Sequence, residues 1–133
     1  GAYIAVQIMG ATGASLAHKF FFGSNHSFGM TINRLTTTQG FLFEILIIIF
    51  LIFTIMSVST IKTSSKSIIG FSIGGIVAIC SFIAGPFTGA SMNPARSIGP
   101  AVLASNLNGI IIYIIGPIIG AIIGFYIYKI IKE

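Results

Sequence analysis

Charged residues are so few in this chain, and so unevenly placed, that they limit it to folds that a lipid environment can accept. Of 133 residues, seven are Lys or Arg and two are Asp or Glu, which makes 7% charged, against about 25% in an ordinary soluble domain. A globular surface cannot be covered with so little charge, and a hydrophobic content of 55% excludes intrinsic disorder. We therefore expect a lipid bilayer around the chain and no nucleic-acid partner, although the net charge is +5.

Long runs without charge predict four membrane-spanning helices. Residues 1–18, 67–95 and 97–128 carry no charge, and 35–61 carry only Glu44. A helix needs about 20 mainly apolar residues to cross a hydrocarbon core of about 30 Å. We therefore predict spans at 2–22, 39–59, 67–84 and 109–130. They form a single membrane domain, 1–133, which we expect to be incomplete because it begins without Met in apolar sequence.

The last predicted span carries a glycine on each turn of one face, at Gly116, Gly120 and Gly124. Helices in lipid gain little from hiding apolar surface, so small residues that allow close approach favour their association. This span is therefore expected to cross another helix closely.

The stretch 85–105 is almost uncharged but is interrupted by glycine and proline, which a straight spanning helix does not tolerate. Within it, Asn93-Pro94 is a helix-start signal, because Asn is a favoured N-cap and Pro suits the first helical position. We predict a re-entrant loop and half-helix over 85–105, with the helix at about 94–104. Its length of about 16 Å would cover half a membrane.

Arg96 lies in the first turn of this half-helix. A guanidinium at membrane depth costs at least about 3 kcal/mol, so it should face water or a partner. Because the N-terminus of a helix is itself positive, two positive sources lie together, an arrangement that repels cations but not neutral solutes. An internal ion pair with Glu44, the only acid within a predicted span, is the alternative.

The loops suggest an orientation. Lys62 and Lys66 between the second and third spans, with Lys129 and Lys132 after the fourth, predict that these two regions face the cytoplasm. In the opposite loop, Asn25-His26-Ser27 matches a glycosylation sequon.

The run Thr88–Val102 reads TGASMNPARSIGPAV and resembles the second Asn-Pro-Ala signature of the major intrinsic protein family, the aquaporins and glycerol facilitators. In order along the chain, Tyr3–Gln7 resembles the family's third helix, Phe43-Glu44 the fourth, 67–84 the fifth and 113–131 the sixth. The resemblance implies an all-α integral membrane protein. It would be a partial aquaporin-like helical bundle of four transmembrane helices plus the re-entrant half-helix. The first Asn-Pro-Ala motif and the first two helices have no counterpart in this sequence.

The resemblance also assigns roles around the pore. Asn93 would donate its side-chain amide to a passing solute, and Arg96 would be the cationic member of the narrow filter. Ser81 and Ala90 fall on two further filter positions. The other pore and selectivity positions are the rest of the motif and the loop whose carbonyl groups form a polar track: Pro94, Ala95, Gly89, Ser91 and Met92.

Three residues would lie beside this pore. Glu44 fits the family's buried glutamate, which supports the loop by accepting backbone hydrogen bonds. Gln7 would either tether the loop or form a hydrogen bond to another helix. Cys80, next to Ser81, is either a packing cysteine or a neighbour of the pore.

The function that the resemblance implies is a passive transmembrane channel for water and other small neutral solutes, forming a homotetramer when complete. Ser97 and Ala101 are of the water-channel kind, whereas the small Ser81 and Ala90 favour a glycerol, ammonia or urea facilitator. A non-conducting half-channel or structural membrane module is a further alternative, because the first motif is missing. We expect no enzyme activity, no cofactor and no metal. The expected location is the cell membrane, with an intracellular membrane left open.

Overall fold

The computed structural model describes residues 1–24, 27–61 and 65–133, so the predicted sequon at Asn25 and the basic loop position Lys62 lie outside the described residues. Within these ranges the chain is helical and has no strand. The five helices in them are α1 (Ala2–Phe22), α2 (Thr37–Ser59), α3 (Lys66–Thr88), α4 (Pro94–Leu103) and α5 (Ile110–Lys132).

Three of these helices, α2, α3 and α5, are long and apolar enough to cross a membrane, each with 23 residues. They lie where the charge-free runs predict spans, and they make the chain an integral membrane protein. At 21 residues, α1 covers the predicted span 2–22 and has sufficient length. It does not reach the hydropathy of the other three, because Gln7, His18 and Lys19 interrupt its apolar sequence.

The helix α3 continues beyond Ala84, where the sequence predicts its end. Pro86 lies in its last turn, and Gly89 caps it with a φ of 80° and a hydrogen bond from its N–H to the Gly85 carbonyl at 3.0 Å. Pro86 has no N–H to donate to the Phe82 carbonyl, but the helix continues past it to Thr88. The loop therefore begins at Gly89 and not at Gly85.

The glycine face of α5 packs against α2, as its spacing predicts. A Cβ atom added to Gly120 would lie 2.5 Å from the Ile45 carbonyl oxygen and 2.9 Å from the Ile48 Cβ. A Cβ on Gly124 would lie 2.9 Å from the Ile49 carbonyl oxygen. Only glycine allows the two backbones to approach this closely.

The short helix α4 begins as predicted and ends at Leu103, within one residue of the expected bound. Asn93 is its N-cap, with Oδ1 accepting a hydrogen bond from the Ala95 N–H at 2.9 Å, and Pro94 takes the first helical position. The helix packs on α1, where a Cβ on Gly99 would lie 2.6 Å from the Ala11 Cβ. With ten residues, α4 is about 15 Å long.

Candidate pore-lining site

One cavity gathers most of the residues that the sequence analysis assigns to a pore. It lies between α2, α3 and the loop before α4, and it has a volume of about 450 Å³. Water occupies about 30 Å³ per molecule in the liquid, so several waters fit. The predicted residues that line this cavity are Ser81, Gly89, Ala90, Ser91, Met92, Asn93 and Arg96.

A second cavity, of about 410 Å³, lies on the α1 side of the same tip. Gln7, His18 and Ala95 line it, together with Asn93 and Arg96. Both cavities therefore border the same two polar side chains. Pro94 lines neither cavity and serves as the first residue of α4.

The N-cap role of Asn93 determines how its side chain is oriented. A cap must accept a hydrogen bond from a backbone N–H, so the amide oxygen is the atom that faces Ala95 N at 2.9 Å. The Nδ2 atom is then left with two hydrogens and, among the residues that the structure describes, with no acceptor. It is available to a molecule in the cavity.

The loop Gly89–Met92 has a strained backbone and carbonyl groups without partners. Gly89, Ala90 and Met92 have φ angles of 80°, 44° and 52°, and the left-handed region costs a residue with a Cβ about 1–3 kcal/mol. None of the four carbonyl oxygens accepts a hydrogen bond from the described part of the chain. Four consecutive residues with such an acceptor therefore precede Asn93 in the lining of the main cavity.

Glu44 on α2 holds this loop in place. Its side chain is fully buried and accepts hydrogen bonds from Thr88 Oγ1 at 2.7 Å, Ser91 N at 3.0 Å and Met92 N at 3.2 Å. A buried carboxylate needs such donors in place of the water it has lost. Both carboxylate oxygens are occupied, and the alternative ion pair with Arg96 does not form; the one ion pair among the described residues joins Lys129 to Glu133.

The Arg96 side chain is held by a neutral partner. Its Nη1 atom donates a hydrogen bond to the Gly29 carbonyl oxygen at 2.9 Å. A carbonyl group orients the guanidinium without neutralising it. Because Arg96 lies in the first turn of α4, its charge adds to the positive end of the helix beside the cavity.

Two further predicted positions lie away from the main cavity. Gln7 makes no hydrogen bond with any described residue, so neither of the two interactions predicted for it is present there. Cys80 is 4% exposed and packs with Ile47 and Ala84, and its thiol lies 3.8 Å from the Ile47 carbonyl oxygen. Of its two interpretations, the packing cysteine is the one that this environment supports.

The sequence does not reveal the hydrogen bonds that hydroxyl groups form around the loop. Tyr113 on α5 is buried and donates to the Thr88 carbonyl oxygen at 2.7 Å. Thr31 donates to Ser97 Oγ at 2.8 Å, and Ser97 Oγ lies 2.6 Å from Ser91 Oγ. No local pattern could have revealed Thr31, because it lies 66 residues from its partner. Tyr113 offered a weak signal, as a phenol within an apolar run that needs a hydrogen-bond partner when buried.

Long apolar helices, a strained loop and a capped short helix that carries Arg96 in its first turn define a helical membrane protein. The family model described as "Major intrinsic protein" matches residues 1–128, and the chain belongs to this family.

Curated relatives agree with this assignment. The chain is 39% identical to Nodulin-26 of Glycine max over 132 residues, which cover 98% of this chain and 49% of that protein. It is 36% identical to Aquaporin NIP1-1 of Zea mays over 132 residues, which cover 98% of this chain and 47% of that protein. It is 38% identical to Aquaporin NIP6-1 of Arabidopsis thaliana over 130 residues, which cover 98% of this chain and 43% of that protein. The chain spans about half the length of the curated relatives it matches.

Proposed function

We propose that this chain supplies part of a passive transmembrane channel for water and other small neutral solutes. One observation carries the proposal: Asn93 with its unpaired amide, the residues 89–92 with their unpaired carbonyl groups, and Arg96 all line one cavity. The path binds and releases its solute without making or breaking a covalent bond, so the proposal includes no enzymatic step.

The solute would exchange its hydration shell for these fixed groups. In a narrow polar constriction, backbone acceptors and a few side-chain donors replace the hydrogen bonds that a permeant loses. Water accepts a hydrogen bond from Asn93 Nδ2 and donates to the carbonyl groups of Gly89, Ala90, Ser91 and Met92. Because the protein has already fixed these groups, passage needs little rearrangement.

Cations would be excluded by the charge at this point of the path. With an effective dielectric constant of about 20 and a separation of about 5 Å, Arg96 repels a unit charge by about 3 kcal/mol. The half-charge at the N-terminus of α4 adds about half that amount. The sum of about 5 kcal/mol slows a cation by a factor of more than a thousand, while a neutral solute is little affected.

The helices would be arranged about the membrane in two ways, as spanning helices and as one re-entrant half-helix. The helices α1, α2, α3 and α5 would span it within the single membrane domain 1–133, and α4 would reach only mid-membrane as a re-entrant half-helix. The apolar character of three of the long helices and the length of α4 support this arrangement. The complete protein would be a homotetramer in the cell membrane, by analogy with the family.

A specific observation favours a second candidate, a glycerol, ammonia or urea facilitator. Ser81 is exposed within the main cavity and Ala90 borders it, and both side chains are small. A wider opening at these two positions admits larger neutral solutes than water. A non-conducting half-channel or structural module is the alternative from a different class, and the flux of the complete protein decides between them.

Reconstitution of the complete gene product into proteoliposomes tests these functions. Stopped-flow shrinkage in sucrose and in glycerol gives the water and glycerol permeabilities separately. We expect water flux well above that of empty vesicles, and a loss of most of it in Asn93→Asp, which keeps the cap oxygen but removes the amide donor. Asn106→Asp is the matched control, because Asn106 Oδ1 caps only its own turn by accepting from Asn108 N at 3.1 Å.

Water flux equal to that of empty vesicles would refute the channel and favour the structural module. Glycerol flux comparable with water flux would favour the facilitator.

A further inference from the structure

Three buried hydroxyl groups connect the segment after α1 to the tip of α4. Thr31 Oγ1 donates to Ser97 Oγ at 2.8 Å, Ser97 Oγ lies 2.6 Å from Ser91 Oγ, and Ser91 Oγ donates to the Asn93 carbonyl oxygen at 3.0 Å. Thr31, Ser97 and Ser91 are 7%, 0% and 4% exposed, so bulk water does not compete for these bonds. We call this series the hydroxyl relay.

The relay has one hydrogen-bond direction. Each hydroxyl group has a single hydrogen to donate. Since the hydrogen of Ser91 goes to the Asn93 carbonyl, Ser97 must be the donor in the contact with Ser91. Ser97 then accepts from Thr31, which begins the series. The relay therefore runs from Thr31 through Ser97 and Ser91 to Asn93, without a position where two hydrogens face each other.

The relay ends on a carbonyl group that has no other partner. The Asn93 carbonyl accepts no backbone hydrogen bond from the described residues, although the carbonyl of an N-cap residue normally accepts the first bond of its helix. The same peptide unit adjoins Pro94, which has no N–H to offer. The Ser91 hydroxyl is thus what fixes the orientation of the backbone next to the Asn93 side chain.

Thr31 also lies at the centre of a segment that covers the loop. On one side of it, the Gly29 carbonyl accepts from Arg96 Nη1 at 2.9 Å. On the other side, Arg34 N donates to the Phe87 carbonyl at 2.8 Å. Between these contacts the Thr31 Cα lies 3.0 Å from where a Cβ on Gly89 would be. A displacement of Thr31 would therefore reach both the backbone of Asn93 and the partner of Arg96.

We propose that Thr31 is a positioning residue that limits the size of the solute admitted. Through Ser97 and Ser91 it sets the Asn93 backbone, and through its own segment it holds the Gly29 carbonyl that accepts from Arg96. This inference rests on the proposed channel function for its effect on selectivity. Its structural part, the coupling between Thr31 and the tip of α4, stands on the hydrogen bonds alone.

Amide hydrogen exchange tests the coupling. Thr31→Val keeps the shape of the side chain but removes the hydroxyl, Thr31→Ser retains the hydroxyl, and Ser97→Ala interrupts the relay at its middle. We expect exchange at Ser91, Met92 and Ala95 to rise about tenfold in Thr31→Val, the change that loss of one buried hydrogen bond implies. Ser97→Ala loses two such bonds, to Thr31 and to Ser91, so the rise there should be at least as large. Thr31→Ser should exchange like the wild type.

The double variant Thr31→Val/Ser97→Ala should exchange at these amides like Ser97→Ala alone, because Ser97→Ala already removes the bond to Thr31. A rise confined to the amides of Met30 and Arg34 would overturn the inference, because Thr31 would then secure only its own segment. If Thr31→Val does not fold, Ser97→Ala tests the same relay at its middle.

Selectivity is measured with the same variants in proteoliposomes. We expect the ratio of glycerol to water permeability to rise several-fold in Thr31→Val and Ser97→Ala, and to stay at the wild-type value in Thr31→Ser. Thr54→Val is the matched control, because its hydroxyl bonds only to the Phe50 carbonyl of its own helix at 2.8 Å. An unchanged ratio in Thr31→Val and Ser97→Ala would overturn the effect on solute size. Absence of flux in the wild type would refute the channel itself, while the exchange rates would still decide whether the relay positions Asn93.

Discussion

Removal of the Glu44 carboxylate should open the loop before α4 while leaving the helix bundle intact. In Glu44→Ala, Ser91 N and Met92 N lose their acceptor together, at 3.0 and 3.2 Å, whereas Thr88 Oγ1 keeps the Ala84 carbonyl oxygen at 3.4 Å. Each donor left without a partner costs about 1–3 kcal/mol, so the loop loses at least about 2 kcal/mol. That corresponds to an increase of at least about thirtyfold in the population of the open loop.

The variant Glu44→Gln should give an intermediate effect, because it keeps part of the acceptor. Glu44→Gln keeps one acceptor oxygen, which can serve Thr88 and Ser91, because both donate to Oε1. Its amide nitrogen then faces the Met92 N–H, which donates to Oε2, so two donors meet and one bond is lost. We expect about a tenfold increase in opening for Glu44→Gln, between the wild type and Glu44→Ala.

Amide hydrogen exchange at Ser91 and Met92, measured on the protein in lipid nanodiscs, gives the opening directly. The control is Glu133→Ala, since that carboxylate is exposed and pairs only with Lys129 at 3.6 Å. Wild-type exchange rates in Glu44→Ala would refute the reasoning, because the segment around Thr31 would then be sufficient to hold the loop closed.

Three further predictions concern the filter, the helix contact and the cysteine. Arg96→Val removes about 3 kcal/mol of the repulsion between Arg96 and a cation. Proton leak into proteoliposomes should therefore rise about a hundredfold, and larger solutes should pass. An unchanged leak and an unchanged range of solutes would make the role of Arg96 structural. Gly120→Ala places a methyl group 2.5 Å from the Ile45 carbonyl oxygen. This should cost about 1–3 kcal/mol and lower the thermal unfolding midpoint, unlike Gly74→Ala, whose Cβ meets nothing within 4 Å. Cys80 is buried, so a water-soluble maleimide should neither label it nor reduce flux; labelling at the rate of an exposed thiol would contradict its packed position.

The start of α4 was predictable because its signal is local. An N-cap and the proline after it act within one turn, so Asn93-Pro94 specifies a helix start whatever surrounds it. The three long apolar helices follow in the same way from runs without charge. The end of α3 was not predictable from glycine and proline alone, because the helix accommodates Pro86 and continues to Thr88 although one N–H is missing.

The hydrogen bonds of the candidate site depend on residues far apart in the chain. Glu44 meets Ser91 across 47 residues and Thr31 meets Ser97 across 66. The resemblance suggested the first of these contacts, since a lone acid within a span needs a donor. Nothing suggested the second, because a threonine in a loop is compatible with solvent as well as with a buried partner.

The sequence by itself determined where the long helices lie, how α4 begins and which face of α5 admits a close neighbour. These features depend on residues within a turn or two of one another, so hydropathy, capping and glycine spacing are sufficient to specify them. Only the tertiary structure decided that the carbonyl groups of 89–92 are left free, that Glu44 is fully occupied by the loop and that Thr31 reaches Ser97. The physical reason is that a hydrogen bond requires its two atoms within about 3 Å, and that distance is set by how α1, α2 and α4 pack and not by their separation along the chain.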